Sequence, residues 1–375
     1  MNYFSFKIHH KDKQSEARIG TLKTPHGAIN TPEFVPVATQ ASLKSLTPLQ
    51  LHGIGTQILM INTYHCYLRP GADLIKRFHG LHTFMGWNKP LMTDSGGFQI
   101  FSLNTTGKGL VKITDDHVAF RSHIDQSKHL FTPEKSIAIQ EKLGADIIFA
   151  FDECTPFDSS GQYIKQSLKR THSWAERCKK AQKRKDQMLF GIVQGGRFKE
   201  LRKESAEYIS ALNFPGYGIG SIFGNPKIES AEALKWSLEA LPYNTPKHFL
   251  GIGAVDDLFT GVALGVDLFD CVLPTRLARV GYIFSSECHA NAKWRYRVTK
   301  AAFKSDRKPL DKNCSCYTCT HFSRAYLYHL FKANELTAYS LATVHNLTFF
   351  NDLMEAIRDA IENDEFQKLK KQWLR

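Results

Sequence analysis

Short, nearly continuous apolar runs recur along the chain. Each is followed by Gly, Asp or Thr and then by a stretch with apolar residues at three- and four-residue spacing. The runs are Glu33–Ala38, Gln57–Asn62, Leu91–Asp94, Asp146–Asp152, Met188–Gln194, Tyr217–Ile222, His248–Ile252 and Asp267–Cys271. Unbroken apolar runs of this length mark parallel strands buried on both faces. Helical periodicity is clearest over Gly161–Lys185 and Pro226–Leu241. Eight β/α units predict an α/β fold closed as a TIM (β/α)8 barrel, in preference to an open doubly wound sheet.

Three regions fall outside a plain barrel. The first stretch (Phe4–Ile8, Ala17–Leu22, Gly27–Ile29) alternates like an antiparallel meander, with turns at Asp12 and Pro25-His26-Gly27, placed to close one barrel end. Residues 95–145 are too long for a simple crossover and predict an insertion. Residues 280–350 hold a cysteine cluster and read as an appended metal-binding subdomain. The expected organisation is therefore a meander over 1–32, a barrel core over 33–279 with its insertion, a zinc-binding subdomain over 280–350 and a C-terminal helix over 351–375.

Composition narrows the picture. The 375 residues suit one barrel with insertions, and 42% hydrophobic residues suffice for a full core. The N-terminus lacks an apolar signal core, and no apolar stretch approaches bilayer-spanning length, so a cytoplasmic protein without membrane contact is expected. A net charge of +13 favours encounters with nucleic acid, although many basic proteins bind none. The basic run Lys179–Lys185 reads as a solvated helix face. The eight cysteines do not form a secreted disulfide framework.

Three of those cysteines form Cys314-Ser-Cys316-Tyr-Thr-Cys319, a C-x-C-x-x-C cluster that points to metal more than to buried thiols. A tetrahedral site needs a fourth ligand. His321 lies too near Cys319 to swing round easily, His329 follows, and His345 lies beyond a helical segment (Ser323–Lys332) that could return it to the cluster. With all four positions filled, a zinc ion there is structural.

Chemistry in a barrel sits at the C-terminal strand ends. Three carboxylates fall there: Asp94, Asp152 and Asp270. Helix capping competes as an explanation for Asp94, which precedes Ser-Gly-Gly, and less so for Asp270, which precedes Pro274. Two carboxylates facing one sugar can run a retaining displacement, one attacking the anomeric carbon and one handling the leaving group's proton. Spacing does not say which attacks. Glycines at 195, 196, 218, 220 and 224 would let a flat ligand approach the backbone, and no Gly-Lys-Ser/Thr follows to make a phosphate loop.

At these motifs the chain resembles the tRNA-guanine transglycosylase family, from about Gly20 to about residue 350. The resemblance rests on Thr93-Asp94-Ser95-Gly96-Gly97-Phe98-Gln99, Phe151-Asp152-Glu153-Cys154-Thr155-Pro156, Gly191-Ile-Val-Gln194-Gly195, Tyr217-Gly-Ile-Gly220, Leu268-Phe-Asp270-Cys-Val-Leu-Pro274-Thr-Arg276 and the cysteine cluster with its distant His. It implies a TIM barrel with a zinc subdomain and base exchange at the wobble guanine of tRNAs with a U-G-U anticodon sequence. The incoming base is queuine or its aminomethyl-deazaguanine precursor. By resemblance Asp270 is the nucleophile and Asp94 the acid/base. Asp152 and Gln194 read the base edge with Ser95 and the backbone near Gly220 and Ser221, and Phe98 and Leu250 sandwich its faces. Arg276 and Arg279 grip neighbouring uridines, and Cys314, Cys316, Cys319 and His345 hold one structural zinc. A homodimer is also implied, and Phe322, Tyr326 and His329 are candidate interface residues.

A base must leave its stack to be attacked, which is easiest in a single-stranded loop, and Phe98 offers a stacking surface. The chain departs from the family pattern in two places. Family members usually read Gly-Gly-Leu-Ala-Val-Gly-Glu after the sixth strand, whereas Gly220-Ser221-Ile222-Phe223-Gly224-Asn225 is shorter and lacks the Glu. The usual Ser-Gly-Arg-Asn-Gly after Thr275-Arg276 is Leu277-Ala278-Arg279-Val280-Gly281. The rival readings are a non-catalytic RNA-binding subunit of a two-chain transglycosylase, which would be expected to lose the carboxylates, and a metal-dependent barrel hydrolase, which would need His-x-His at strand ends.

Overall fold

The computed structural model describes residues 3–104, 111–220 and 227–375. The chain opens with an antiparallel meander of β1 (Ser5–Lys11), β2 (Arg18–Thr24) and β3 (Gly27–Thr31). The barrel follows: β4 (Glu33–Ala38), β5 (Leu59–Ile61) and β6 (Leu91–Thr93). After the insertion strands β7 (Val111–Ile113), β8 (Val118–Arg121) and β9 (Lys128–Phe131) it continues with β10 (Ile147–Phe149), β11 (Met188–Val193), β12 (Gly216–Ile219), β13 (Lys247–Phe249) and β14 (Leu268–Cys271). The barrel closes in the order β10-β11-β12-β13-β14-β4-β5-β6, and all its ladders are parallel. The expected TIM barrel and meander are both present.

The unbroken apolar runs follow from burial on two sides. Val35, Met60, Met92, Ile147, Phe149, Met188, Phe190, Ile192 and Leu268 form one buried cluster inside the barrel. The alternate residues, among them Phe34, Leu59, Ile61, Leu91, Ile148, Leu189 and Val193, pack in the surrounding helical layer. Leu22 and Ile29 of the meander belong to the interior cluster, with Phe4 and Phe6 packed against it, so the meander plugs the N-terminal end of the barrel. Two aspartates fix it there. Asp267 accepts from the Arg18 guanidinium at 3.0 and 2.6 Å. Asp146 is 2.7 Å from the His26 Nδ1 and accepts the Leu91 N–H at 2.9 Å. Burial opposes ionisation of Asp146, yet the bonds from His26, His82 and Leu91 outweigh it and hold the carboxyl down to about 2.

The insertion is a three-stranded antiparallel sheet, β7-β8-β9, set between the helices Gly97–Asn104 and Pro133–Leu143. Phe131 packs 5.7 Å from Phe151, and Trp174 donates its indole N–H to the Asp115 carbonyl at 2.6 Å, so the sheet is anchored to the barrel wall beside Asp152. After β14 the chain forms the pair β15 (Tyr282–Phe284) and β16 (Arg295–Arg297), then helices Tyr317–His321, Arg324–Lys332, Leu336–Glu362 and Phe366–Trp373. The long helix lies over β4: Phe350 packs 4.7 Å from Phe34, and Arg358 bonds the Pro32 carbonyl at 2.8 Å and Glu33 at 3.0 Å. It runs unbroken through residue 350, where the sequence pattern suggests a boundary, because its first half carries His345 and its second half covers the barrel. Residues 351–375 therefore hold the end of this helix and a further one, not a single C-terminal helix. Among the described residues no helix is long and apolar enough to cross a membrane.

Candidate active site

A cavity of about 340 Å³ opens at the C-terminal ends of the barrel strands. Its lining brings together Asp94, Ser95, Phe98, Asp152, Gln194, Gly220, Leu250, Asp270 and Arg276 from eight separate positions around the barrel mouth and adjoining helices. Ser221 lies outside the described residues. Arg279 does not line the cavity; its guanidinium turns back to the Thr275 carbonyl at 2.8 Å and is half-buried.

Asp94 follows β6 directly. Its Oδ1 accepts the N–H groups of Thr63 at 2.8 Å and Gly96 at 3.1 Å, and its Oδ2 accepts the Asn62 side-chain amide at 2.5 Å. The capping role expected of an Asp before Ser-Gly-Gly is thus partly realised, and the same carboxyl faces the cavity. Burial pushes it up to about 7, the Asp270 charge adds to the rise, and the backbone donors oppose it. A carboxyl that gains and loses a proton near neutrality suits general acid/base work.

Asp152 lies three residues past β10. Ser95 donates to its Oδ1 at 3.2 Å and the Gln194 amide to its Oδ2 at 2.6 Å. Burial still raises it to about 6. The Gln194 Oε1 is buried with no partner among the described residues, leaving an acceptor beside the cavity. Gly220 leaves room for the Gln194 amide, since a Cβ there would sit 2.5 Å from its Nε2 and force it to shift. Phe98 is 47% exposed at the start of its helix, so an aromatic face is available at the cavity mouth.

Asp270 is the third residue of β14. Both donors that reach it bind one oxygen: the His248 Nε2 lies 2.8 Å from Oδ1, and the Gly251 N–H donates to the same atom at 3.0 Å. No capping bond engages it among the described residues.

Away from the cavity, one ligand atom each from Cys314, Cys316, Cys319 and His345 lie within 4.8 Å of one another. The His345 Nδ1 is 3.2 Å from the Cys319 sulfur and 3.6 Å from that of Cys316. Its Nε2 faces the Phe284 carbonyl at 2.6 Å, which fixes that nitrogen as the N–H and turns the Nδ1 lone pair toward the thiols. Three soft donors and an imidazole so arranged can hold a metal ion. His321 and His329 are both exposed and outside the cluster, and the His321 Nδ1 bonds instead to the Tyr317 carbonyl at 2.9 Å.

The profile of the family described as "Queuine tRNA-ribosyltransferase" matches residues 12–375. Proteins named queuine tRNA-ribosyltransferase match over nearly their whole length. That of Thermoanaerobacter pseudethanolicus is 50% identical over 100% of this chain and 98% of its own. That of Halothermothrix orenii is 50% identical over 99% and 97%, and that of Herpetosiphon aurantiacus 50% over 100% and 93%. The chain belongs to the queuine tRNA-ribosyltransferase family.

In this member of the queuine tRNA-ribosyltransferase family, two glycines singled out by sequence are packing residues. A Cβ on Gly195 would meet the Arg202 backbone at 2.8 Å, and one on Gly196 would meet Ile164 at 2.2 Å, so both admit a helix and neither lines the cavity. Three polar groups that sequence reasoning missed do contact the carboxylates. Asn62 had a signal, a polar residue at a strand end, hidden by its second role as N-cap of helix Thr63–Leu68. His248 opens the apolar run His248–Ile252 as its one titratable residue, and only the fold shows that it faces Asp270. Gly251 acts through its backbone, which sequence does not reveal.

Proposed function

We propose that the protein is a pentosyltransferase that exchanges the wobble guanine of U-G-U anticodon tRNAs for queuine or its aminomethyl precursor by double displacement. Asp270 attacks the ribose anomeric carbon as the bond to guanine breaks, and Asp94 protonates the departing base. The incoming base then gives its proton to Asp94, and the ester electron pair returns to Asp270. Asp152 and Gln194 read the base edge, with Ser95, Gly220 and Ser221 beside them. Phe98 and Leu250 cover its faces, and Arg276 and Arg279 grip the neighbouring uridines, Arg279 on leaving the Thr275 carbonyl. The observation that carries this reading is one cavity holding a carboxyl poised near neutrality, Asp94, and a carboxyl, Asp270, whose donors among the described residues both bind one oxygen. The non-catalytic subunit is not favoured, because both carboxylates are kept in their full motifs.

Cys314, Cys316, Cys319 and His345 would hold one zinc ion with no open position, which gives it a structural role. A tRNA substrate fits a cytoplasmic location. Exposed Tyr326, stacked 5.1 Å from Phe322, gives an aromatic patch suited to a homodimer, which light scattering would test. The central test is Asp270→Asn with unmodified tRNA. Wild type should give a denaturation-resistant RNA adduct, and the variant should fold and bind tRNA without forming one. A normal adduct yield in the variant would refute the assignment.

A further inference from the structure

We infer that His248 is a positioning residue for Asp270, holding its Oδ1 through an Nε2–H donor so that Oδ2 faces the sugar and the carboxylate is stabilised as it departs in the second displacement. The inference rests on the covalent reading above.

His248 sits in the middle of β13, fully buried, and its Nε2 is 2.8 Å from the Asp270 Oδ1. Its Nδ1 is buried with no hydrogen-bond partner among the described residues. A proton on Nδ1 would leave a buried donor unsatisfied, whereas a lone pair there is tolerated better. The proton therefore belongs on Nε2, and the ring is a donor to the carboxylate. Phe149 meets the ring edge-on, with centroids 5.5 Å apart and planes at 74°, which limits its rotation. The Gly251 N–H donates to the same oxygen at 3.0 Å. With two donors on Oδ1, the lone pairs of Oδ2 remain for attack.

The two displacements use these donors differently. In the first, the Oδ2–C1′ bond forms, the C1′–base bond breaks with its electron pair on guanine, and Asp94 supplies the proton. The carboxylate loses charge, so a donor on Oδ1 orients it without favouring the charge change. In the second, the incoming base nitrogen bonds C1′, its proton passes to Asp94, and the C1′–O electron pair returns to Asp270. Charge now grows on the carboxylate, and the His248 bond strengthens toward the transition state. Removing the donor should slow resolution of the intermediate more than its formation.

The test compares His248→Met, which fills the space without a donor, with His248→Gln, whose amide reaches the same oxygen. Guanine exchange into tRNA gives turnover, and denaturing gels give the covalent fraction at steady state. In His248→Met turnover should fall roughly 10- to 100-fold, the loss of one hydrogen bond to a charged group. The covalent fraction should rise several-fold, with the tRNA Kd unchanged. His248→Gln should return both toward wild type. If His248→Met does not fold, His248→Asn, whose amide falls short of Asp270, takes its place. A covalent fraction that falls in step with turnover, or no change in either, overturns the inference. Absence of any adduct in wild type would instead sink the covalent reading itself.

Discussion

Replacing Asp94 with Asn should stabilise the protein relative to wild type progressively as pH rises. The folded protein keeps a proton on Asp94 up to about pH 7, whereas an ordinary Asp releases it near 3.8. Through that window the folded state binds the extra proton, so stability falls as pH rises. Between pH 5.5 and 8.5 about one and a half pK units of this window are crossed, or about 2 kcal/mol. Asn carries no such penalty. It does present an amide N–H₂ toward the Asn62 amide, which now donates to Asp94 at 2.5 Å while the Asn62 Oδ1 caps His65 at 3.0 Å and cannot easily flip. One unsatisfied donor costs about 1–3 kcal/mol at all pH values. Wild type has already lost about 2 kcal/mol by pH 5.5, so Asp94→Asn should be close to it there and more stable by about 2 kcal/mol at pH 8.5. Urea unfolding of both proteins at several pH values reads the difference, and guanine exchange should fall about 10²- to 10⁴-fold throughout. A stability difference that does not move with pH would refute the raised proton affinity of Asp94, and with it the reason to assign it the acid/base role.

Other expectations follow from single contacts. Cys316→Ser should bring zinc below one per chain and lower Tm, while folded protein still forms the RNA adduct; full zinc and normal melting would remove Cys316 from the ligand set. Gly220→Ala places a Cβ 2.5 Å from the Gln194 Nε2 and should displace that amide from Asp152, raising KM for guanine roughly 10-fold or more, as measured by initial rates. The stretch 221–225, Ser-Ile-Phe-Gly-Asn, holds no carboxylate to partner a primary ammonium. Exchange at matched concentrations should therefore favour queuine, and a clear preference for the aminomethyl base would show otherwise.

The strands were legible because parallel strands in a closed barrel bury both faces, which leaves continuous apolar runs. Their ends were less so. Asp94, Asp152 and Gln194 extend the runs in sequence but leave the ladders, since each turns its polar group into the cavity. The insertion's length was readable and its three-stranded sheet was not, because β7, β8 and β9 are only three or four residues long. The cysteine cluster was visible as spacing, and the choice of His345 became physical only when Phe284 fixed its tautomer. Arg279 shows the opposite case, a motif residue whose guanidinium satisfies a carbonyl of its own helix.

Position in the barrel and the kind of donor together separate the aspartates at its two ends. At the N-terminal end, Asp146 is bonded by His26 and the Leu91 N–H and is held down to about 2, while Asp267 takes the Arg18 guanidinium on both oxygens and the Lys247 N–H. These carboxylates are fully engaged and tie the meander to the barrel. At the C-terminal end, the neutral donors on Asp94 and Asp152 do not offset burial, and the two rise to about 7 and 6. Both Asp270 donors crowd onto one oxygen. A carboxylate whose bonding is left incomplete by the protein has capacity for a substrate, and a sugar carbon or a base edge can complete it. The same residue type thus staples one end of the barrel and lines the cavity at the other, and the difference lies in the donors: Arg18 and His26 can carry positive charge, whereas those on Asp94 and Asp152 are neutral backbone, amide and hydroxyl groups.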